Sequence, residues 1–190
     1  IRNVRYKQRI AFEKLIVKPD IDMKKNEYSL DDGYIKETKS KTIYSDYANP
    51  ANYNESEILG HGQPDHAFVL KNLIKFNENS VGIEIPIWTE YLDSYLTGHI
   101  DLMDISNDSL LIIDYKPNSF FHSLPQIAMY GLVIMKEFGI KNLECLVFNK
   151  DRVWIFKPIP LMKNILSFLS SLNIQLFWFE YVNSLLNNLN

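Results

Sequence analysis

Two apolar segments joined by only two residues constrain the fold of this chain most. Residues 94–106 and 109–117 alternate β-branched or other apolar residues with polar ones, and Asn107-Asp108 lies between them. Such a pattern is typical of a β-hairpin with a tight turn. We therefore predict two paired strands in the second half of the chain.

The register of this hairpin brings charged residues face to face. With the turn centred between its two residues, Asp101 lies opposite Asp114, and His99 lies opposite Lys116. Like charges that are directly opposed on a sheet are destabilising. A hard cation such as Mg²⁺ or Mn²⁺ prefers oxygen ligands and would relieve that repulsion. The same register predicts an apolar opposite face formed by Ile100, Leu102, Leu111 and Ile113.

The rest of the chain predicts helices around a sheet. Apolar spacing predicts a helix over 4–17, a polar loop or insertion with room for short strands over 19–60, a helix from near Pro64 to Phe76, a strand over 81–88, a helix over 124–138, a strand or hairpin over 144–156, and one or two helices over 161–188. The order α-β-β-β-α-β is typical of an α/β sandwich rather than a regular doubly wound sheet. We predict a single domain with its core at 62–156.

The composition agrees with one globular domain of 190 residues. Apolar residues make up 46% and charged residues 23%, values that exclude a wholly disordered or collagen-like chain. Cys145 is the only cysteine, which excludes an internal disulfide and a multi-cysteine metal site. We expect no membrane span and no signal peptide, and we expect a cytoplasmic protein.

Positive charge is concentrated near the start of the sequence. Residues 1–41 hold 11 Lys/Arg against 7 Asp/Glu, although the whole chain has a net charge of −3. Arg2, Arg5, Lys7 and Arg9 are followed by several tyrosines, a pattern that would suit an arm contacting the phosphates of DNA. A solvated N-terminal region with no ligand is the alternative reading.

Three short motifs follow one another in the predicted core. They are Gly98-His99-Ile100-Asp101, Ile113-Asp114-Tyr115-Lys116, and Gln126-Ile127-Ala128-Met129-Tyr130. Together they resemble the PD-(D/E)XK nuclease superfamily, and more narrowly its RecB-like group, whose members carry G-x-x-D, (D/E)-x-K and Q-x-x-x-Y. The resemblance covers about half the chain. It implies a restriction-endonuclease-like fold with a mixed central sheet flanked by helices.

The resemblance also implies an activity and roles for these residues. It implies a Mg²⁺- or Mn²⁺-dependent deoxyribonuclease that acts on single-stranded, duplex or branched DNA in replication, recombination or repair. Asp101 and Asp114 would bind the metal with the carbonyl of Tyr115, and Lys116 would position or activate the attacking water. The remaining pair, Gln126 and Tyr130, would orient the lysine or the DNA backbone.

A histidine completes the metal site in the RecB-like group. It lies on the preceding helix, often in G-x-x-x-H, and Gly62 and His66 match that spacing. His61 and His99 are competing candidates. Glu84, on the first core strand, could approach the metal from the side, or it could simply face outward.

The sequence departs from the superfamily pattern in informative ways. The second acidic residue is Asp114 where glutamate is commoner, and the cysteines of iron–sulfur relatives are absent. Helicase motifs are also absent, so a stand-alone nuclease is implied. The short length and the Asn/Ile/Lys-rich composition are similar to the small nucleases of archaeal viruses, which would place the protein in a host cytoplasm.

The apolar and aromatic segment at 161–188 allows two readings, core packing or a homodimer interface, and we expect a homodimer. Two other functions stay open. One is a nuclease-like fold that binds DNA, or another partner, without cleaving DNA. The other is a structural α/β protein whose carboxylates pair with buried Lys or Arg.

Overall fold

The computed structural model describes residues 43–91, 94–106, 109–117, 123–171, 173 and 178–189, together with the backbone of 8–11 and 35–38. The strands and helices are β1 (Gln8–Ala11), β2 (Ile35–Thr38), α1 (Ile43–Tyr47), α2 (His66–Phe76), β3 (Ser80–Tyr91), β4 (Ser94–Ser106), β5 (Ser109–Tyr115), α3 (Leu124–Phe138), β6 (Leu143–Phe148), β7 (Val153–Phe156), α4 (Pro158–Ser171) and α5 (Phe179–Asn188). The predicted α/β class is confirmed, and so is the order α-β-β-β-α-β from α2 to β6.

One mixed sheet organises these elements. Its strands follow the order β1-β4-β5-β6-β7-β2, and β3 pairs with β4. Strands β1 and β4 run parallel, as do β5 and β6, whereas the other pairs are antiparallel. Helices α3, α4 and α5 pack on one face of the sheet over one buried apolar cluster, and α2 packs on the other face over a second cluster. The domain therefore has a sheet between two helical layers.

Local signals explain where the two helices nearest the predicted motifs begin and end. Asp65 caps α2, because its side chain accepts a hydrogen bond from the backbone N–H of Ala67. Helix α3 has Pro125 in its first turn and stops at Gly139, which has a φ of +66°. These ends agree with the predicted helices to within two residues.

The predicted helix over 4–17 is wrong where the structure describes it. Gln8–Ala11 forms a strand that pairs parallel with Ser94–Thr97 of β4. A segment this short fits both periodicities, and pairing with a long neighbouring strand decides between them. Arg2, Arg5 and Lys7 lie outside the described residues, so the phosphate-binding arm stays a prediction.

The C-terminal apolar residues lie in the core. Trp178, Phe179, Val182, Leu185 and Leu186 are buried against α3, α4 and the sheet. The core-packing reading therefore accounts for this segment in its described part, and the homodimer stays a prediction. None of the described helices is both long and apolar enough to cross a membrane.

Candidate active site

The candidate site lies at a gap along one edge of β4. On that edge β1 pairs with residues 94–97 and β5 pairs with 102–106. Among the described strands, none pairs with residues 98–101 on this side, and these are the four residues of the G-x-x-D motif. The gap leaves room for side chains from neighbouring elements to reach the sheet.

The predicted hairpin register is confirmed. The observed pairs run from Ser106↔Ser109 to Leu102↔Ile113, and the next position of this register puts Asp101 opposite Asp114. The observed pairing stops before that position, where the N–H of Tyr115 donates to Asp101 Oδ2 at 3.0 Å. The hairpin thus ends where its two aspartates meet.

A histidine and a glutamate join Asp101 at this gap. His66, the first residue of α2, places its Nε2 at 2.8 Å from Asp101 Oδ2 and its Nδ1 at 3.6 Å from Glu84 Oε1. One ligand atom from each of the three side chains lies within 4.8 Å of the others. Two carboxylates and an imidazole form a chemically reasonable donor set for a divalent cation, although they do not select Mg²⁺ over Mn²⁺.

Glu84 reaches the site because the pleat of the sheet is interrupted there. It has a φ of +50°, which non-glycine residues rarely adopt. The residues on either side of it, Ile83 and Ile85, consequently pack on opposite faces of the sheet, and so do Leu102 and Ile100 on β4. The prediction that Ile100 shares a face with Leu102 is therefore wrong, since regular alternation does not hold across this interruption.

Asp114 and Lys116 contact each other beside this group. Lys116 Nζ lies 2.7 Å from Asp114 Oδ2, and Asp114 is 3% exposed whereas the lysine is half-buried. Among the described residues, Asp114 does not belong to the set of donors that lie within 4.8 Å of one another. Its proposed role as a metal ligand therefore stays a prediction from the motif.

The electrostatics of the two aspartates differ. Burial, and then the neighbouring Asp101 carboxylate, raise the pKa of Asp114 to about 8, although Lys116 opposes this. Burial alone would also raise the pKa of Asp101, but the His66 hydrogen bond and the charge of Lys116 outweigh it and hold that pKa below its usual value. The hydrogen bond to Asp101 raises the pKa of His66 despite burial. The contact with Asp101 therefore favours the protonated form of His66.

The Q-x-x-x-Y motif on α3 adjoins the G-x-x-D motif. Gln126 Nε2 donates to the hydroxyl of Tyr130 at 2.7 Å. A Cβ added at Gly98 would clash with that hydroxyl and would lie 2.8 Å from carbon atoms of the tyrosine ring. Only glycine lets the buried Tyr130 approach the strand so closely, which gives the spacing of both motifs a structural reason.

The other histidine candidates fall outside this group. His61 and His99 are exposed, and His99 pairs with Pro86 on β3. The carbonyl of Tyr115, the atom that the motif implies as a metal ligand, stays a prediction, and the hydroxyl of this residue donates to the carbonyl of Pro64. Sequence reasoning gave Glu84 only as an alternative. The signal for it was a carboxylate within an otherwise apolar strand.

A separate apolar groove lies on the α3 face of the sheet. It has a volume of about 730 Å³ and is lined by residues of β3, β4 and the end of α3, including Ile85, Met103 and Phe138. None of the residues in the His66, Glu84 and Asp101 group lines it. The groove is therefore distinct from the candidate site.

Comparison with known proteins adds no relative. No protein-family model matches this sequence, and no curated protein is significantly similar to it.

Proposed function

We propose that this chain is a metal-dependent nuclease that hydrolyses phosphodiester bonds in DNA. The observation that carries the proposal is the meeting of two groups at one strand gap. One group is the donor set His66, Glu84 and Asp101, and the other is the contacting pair Asp114 and Lys116. Clusters of titratable groups with shifted pKa values are concentrated at functional sites, which supports the proposal.

The donor set would hold a divalent cation, with Asp114 as the further ligand that its motif implies. When bound, Mg²⁺ or Mn²⁺ supplies Lewis acidity and positive charge to the phosphate. Asp101 is already oriented for this task, because the N–H of Tyr115 fixes one of its oxygens. His66 must release its proton before it can act as a ligand.

Lys116 contributes positive charge from the other side. Its ammonium group is held 2.7 Å from Asp114 and remains partly exposed, so it can meet a phosphate that enters the gap. In the reaction the oxygen of water bonds to phosphorus, the bond to the leaving oxygen breaks, and that oxygen takes a proton. Lys116 would stabilise the negative charge that develops on the phosphate.

The test is an assay of DNA cleavage. Purified protein is incubated with single-stranded, duplex, flap and four-way junction DNA in Mg²⁺ or Mn²⁺, with parallel reactions in EDTA. We expect cleavage of at least one substrate with metal and none with EDTA. Lys116→Met should lower the rate by at least about 100-fold, as for the loss of one preorganised electrostatic group.

Two results would overturn the proposal. The first is no cleavage of any substrate with either metal. The second is equal cleavage by wild type and Lys116→Met, with melting temperatures showing that both are folded. Metal-independent DNA binding without cleavage would instead favour a non-cleaving DNA-binding module.

A further inference from the structure

An exposed aromatic residue lies on the strand that carries Glu84. Ile87 is buried under α3, and Thr89 accepts a hydrogen bond from Tyr181 of α5, so both face the helical layer formed by α3, α4 and α5. Strand alternation turns Trp88 to the opposite side, where it is 62% exposed. A tryptophan is seldom left so open without a partner, because it has the largest apolar area to bury.

Neighbouring strands complete a small platform around this side chain. The ring of Tyr95 on β4 meets Trp88 edge to face, with centroids 5.7 Å apart and an interplanar angle of 84°. The backbone register of β1 places Arg9 alongside Tyr95. An indole and a phenol are groups on which unpaired nucleotides stack.

We propose that Trp88, supported by Tyr95, stacks on an unpaired base of single-stranded DNA whose backbone continues into the candidate site. The inference rests on the proposed function, since it specifies the substrate of that site. Glu84 and Trp88 are four residues apart on one strand, or about 13 Å. That span corresponds to about four stacked nucleotides at a rise of about 3.4 Å each.

A duplex fits this platform less well. The faces of paired bases are covered by their neighbours, so an aromatic ring can reach them only after unstacking. Glu90 is exposed and pairs in register with Tyr95, and its charge opposes a dense array of phosphates. The platform therefore favours single-stranded DNA, which carries one phosphate charge per nucleotide, over duplex DNA, which carries two per base pair.

Intrinsic fluorescence gives a direct test of stacking. The chain has three tryptophans, and both Trp154 and Trp178 are 1% exposed. Quenching by an added oligonucleotide therefore reports chiefly on Trp88. Oligothymidylate and a blunt hairpin duplex are titrated into the full chain in EDTA, so that cleavage plays no part. We expect quenching and binding with the single strand, and at least tenfold weaker binding with the duplex.

Amino-acid substitutions distinguish stacking on Trp88 from non-specific binding to exposed aromatic residues. Trp88→Ala should weaken binding of the single strand about tenfold, in line with the loss of one stacked base, whereas Trp88→Phe should retain most of it. Phe138→Ala removes another exposed aromatic residue, 71% exposed at the far end of α3, and should change nothing. Glu90→Gln should strengthen binding.

The inference and the proposed function fail in different ways. Unchanged affinity in Trp88→Ala, or an equal loss in Phe138→Ala, overturns the inference even if the wild type cleaves DNA. Quenching that depends on Trp88 supports the inference even if no substrate is cleaved, in which case only the nuclease proposal falls.

Discussion

Strand β4 carries two buried aspartates three residues apart, and their surroundings differ completely. Asp101 is 8% exposed and Asp104 is 3% exposed. Asp104 accepts hydrogen bonds from the hydroxyl of Tyr44 at 2.8 Å, the amide of Asn77 at 2.7 Å and the hydroxyl of Ser80 at 2.6 Å. All three donors are neutral. Asp101 instead contacts His66 and lies near Lys116 and a second carboxylate.

The two aspartates also hold opposite ends of one helix. His66 begins α2 and contacts Asp101, whereas Asn77 follows directly after α2 and contacts Asp104. A carboxylate whose bonds go to neutral donors within the fold stabilises the structure and has little left to offer a ligand. A carboxylate among groups that gain or lose protons can exchange those partners for a cation. The partner set, rather than burial, therefore separates a structural aspartate from a candidate catalytic one.

Substituting each aspartate by asparagine should separate activity from stability, and this is the largest effect that we predict. Asp101→Asn should lower metal-dependent DNA cleavage by at least about 100-fold, because the metal loses its central ligand. Asp104→Asn should leave the rate per folded molecule within a few-fold of wild type. It should lower the free energy of unfolding by about 2–3 kcal/mol, because an amide cannot accept all three hydrogen bonds. Single-turnover cleavage and urea unfolding of both variants measure the two effects.

The opposite result would contradict the distinction between Asp101 and Asp104. If Asp104→Asn abolishes cleavage in a fully folded sample, or if Asp101→Asn cleaves normally, then partner chemistry does not identify the catalytic carboxylate. Asp101→Asn should also unfold at higher urea than Asp104→Asn, since an asparagine at 101 can still accept the hydrogen bond from the N–H of Tyr115.

The sequence was sufficient to predict the hairpin that carries the site. Its strands alternate apolar and polar residues along most of their length, and its short turn fixes the register, so Asp101 and Asp114 could be placed opposite each other. The same local logic predicted His66 at the start of a helix and the pair Gln126 and Tyr130 on one face of another. All of these residues lie on regular elements whose geometry depends on neighbouring residues alone.

The predictions that were wrong concern residues whose contact partners are distant in the sequence. Gln8–Ala11 is a strand only because Ser94–Thr97 offers it an edge, and no local periodicity records that pairing. The face change between Ile100 and Leu102 lies beside the positive φ of Glu84 on another strand, which the sequence of β4 does not record. The contrast between Asp101 and Asp104 could not be predicted from the sequence for the same reason, because Tyr44 lies 60 positions from Asp104, the residue that accepts its hydrogen bond.

The stability of the metal-free protein should fall as pH rises between about 4 and 8. In that window the folded chain keeps the proton on Asp114, whose pKa is about 8, whereas the unfolded chain has released it. The slope from this one group is at most about 1.4 kcal/mol per pH unit. The raised pKa of His66 also makes stability fall as pH rises above 6.5. The lowered pKa of Asp101 affects stability only below about pH 4.

Urea unfolding at several pH values in EDTA measures this slope. Asp114→Asn should flatten it and should exceed wild type in stability at pH 8, whereas Asp104→Asn should keep the wild-type slope. Mn²⁺ added at pH 8 should restore stability to wild type, because a cation then takes the place of the proton. Equal slopes in wild type and Asp114→Asn would show that this carboxyl group is ionised at neutral pH without a metal.

The smallest predicted effect concerns one donor to the structural aspartate. Tyr44→Phe removes a single hydrogen bond to Asp104 and leaves the other two donors in place. The free energy of unfolding should fall by about 1.5 kcal/mol, as for one hydrogen bond to a charged group. Metal affinity and cleavage should not change, since Tyr44 contacts Asp104 and not the candidate site. A loss of metal affinity in this variant would show that the two ends of α2 are coupled, so that the structural aspartate also helps to position His66.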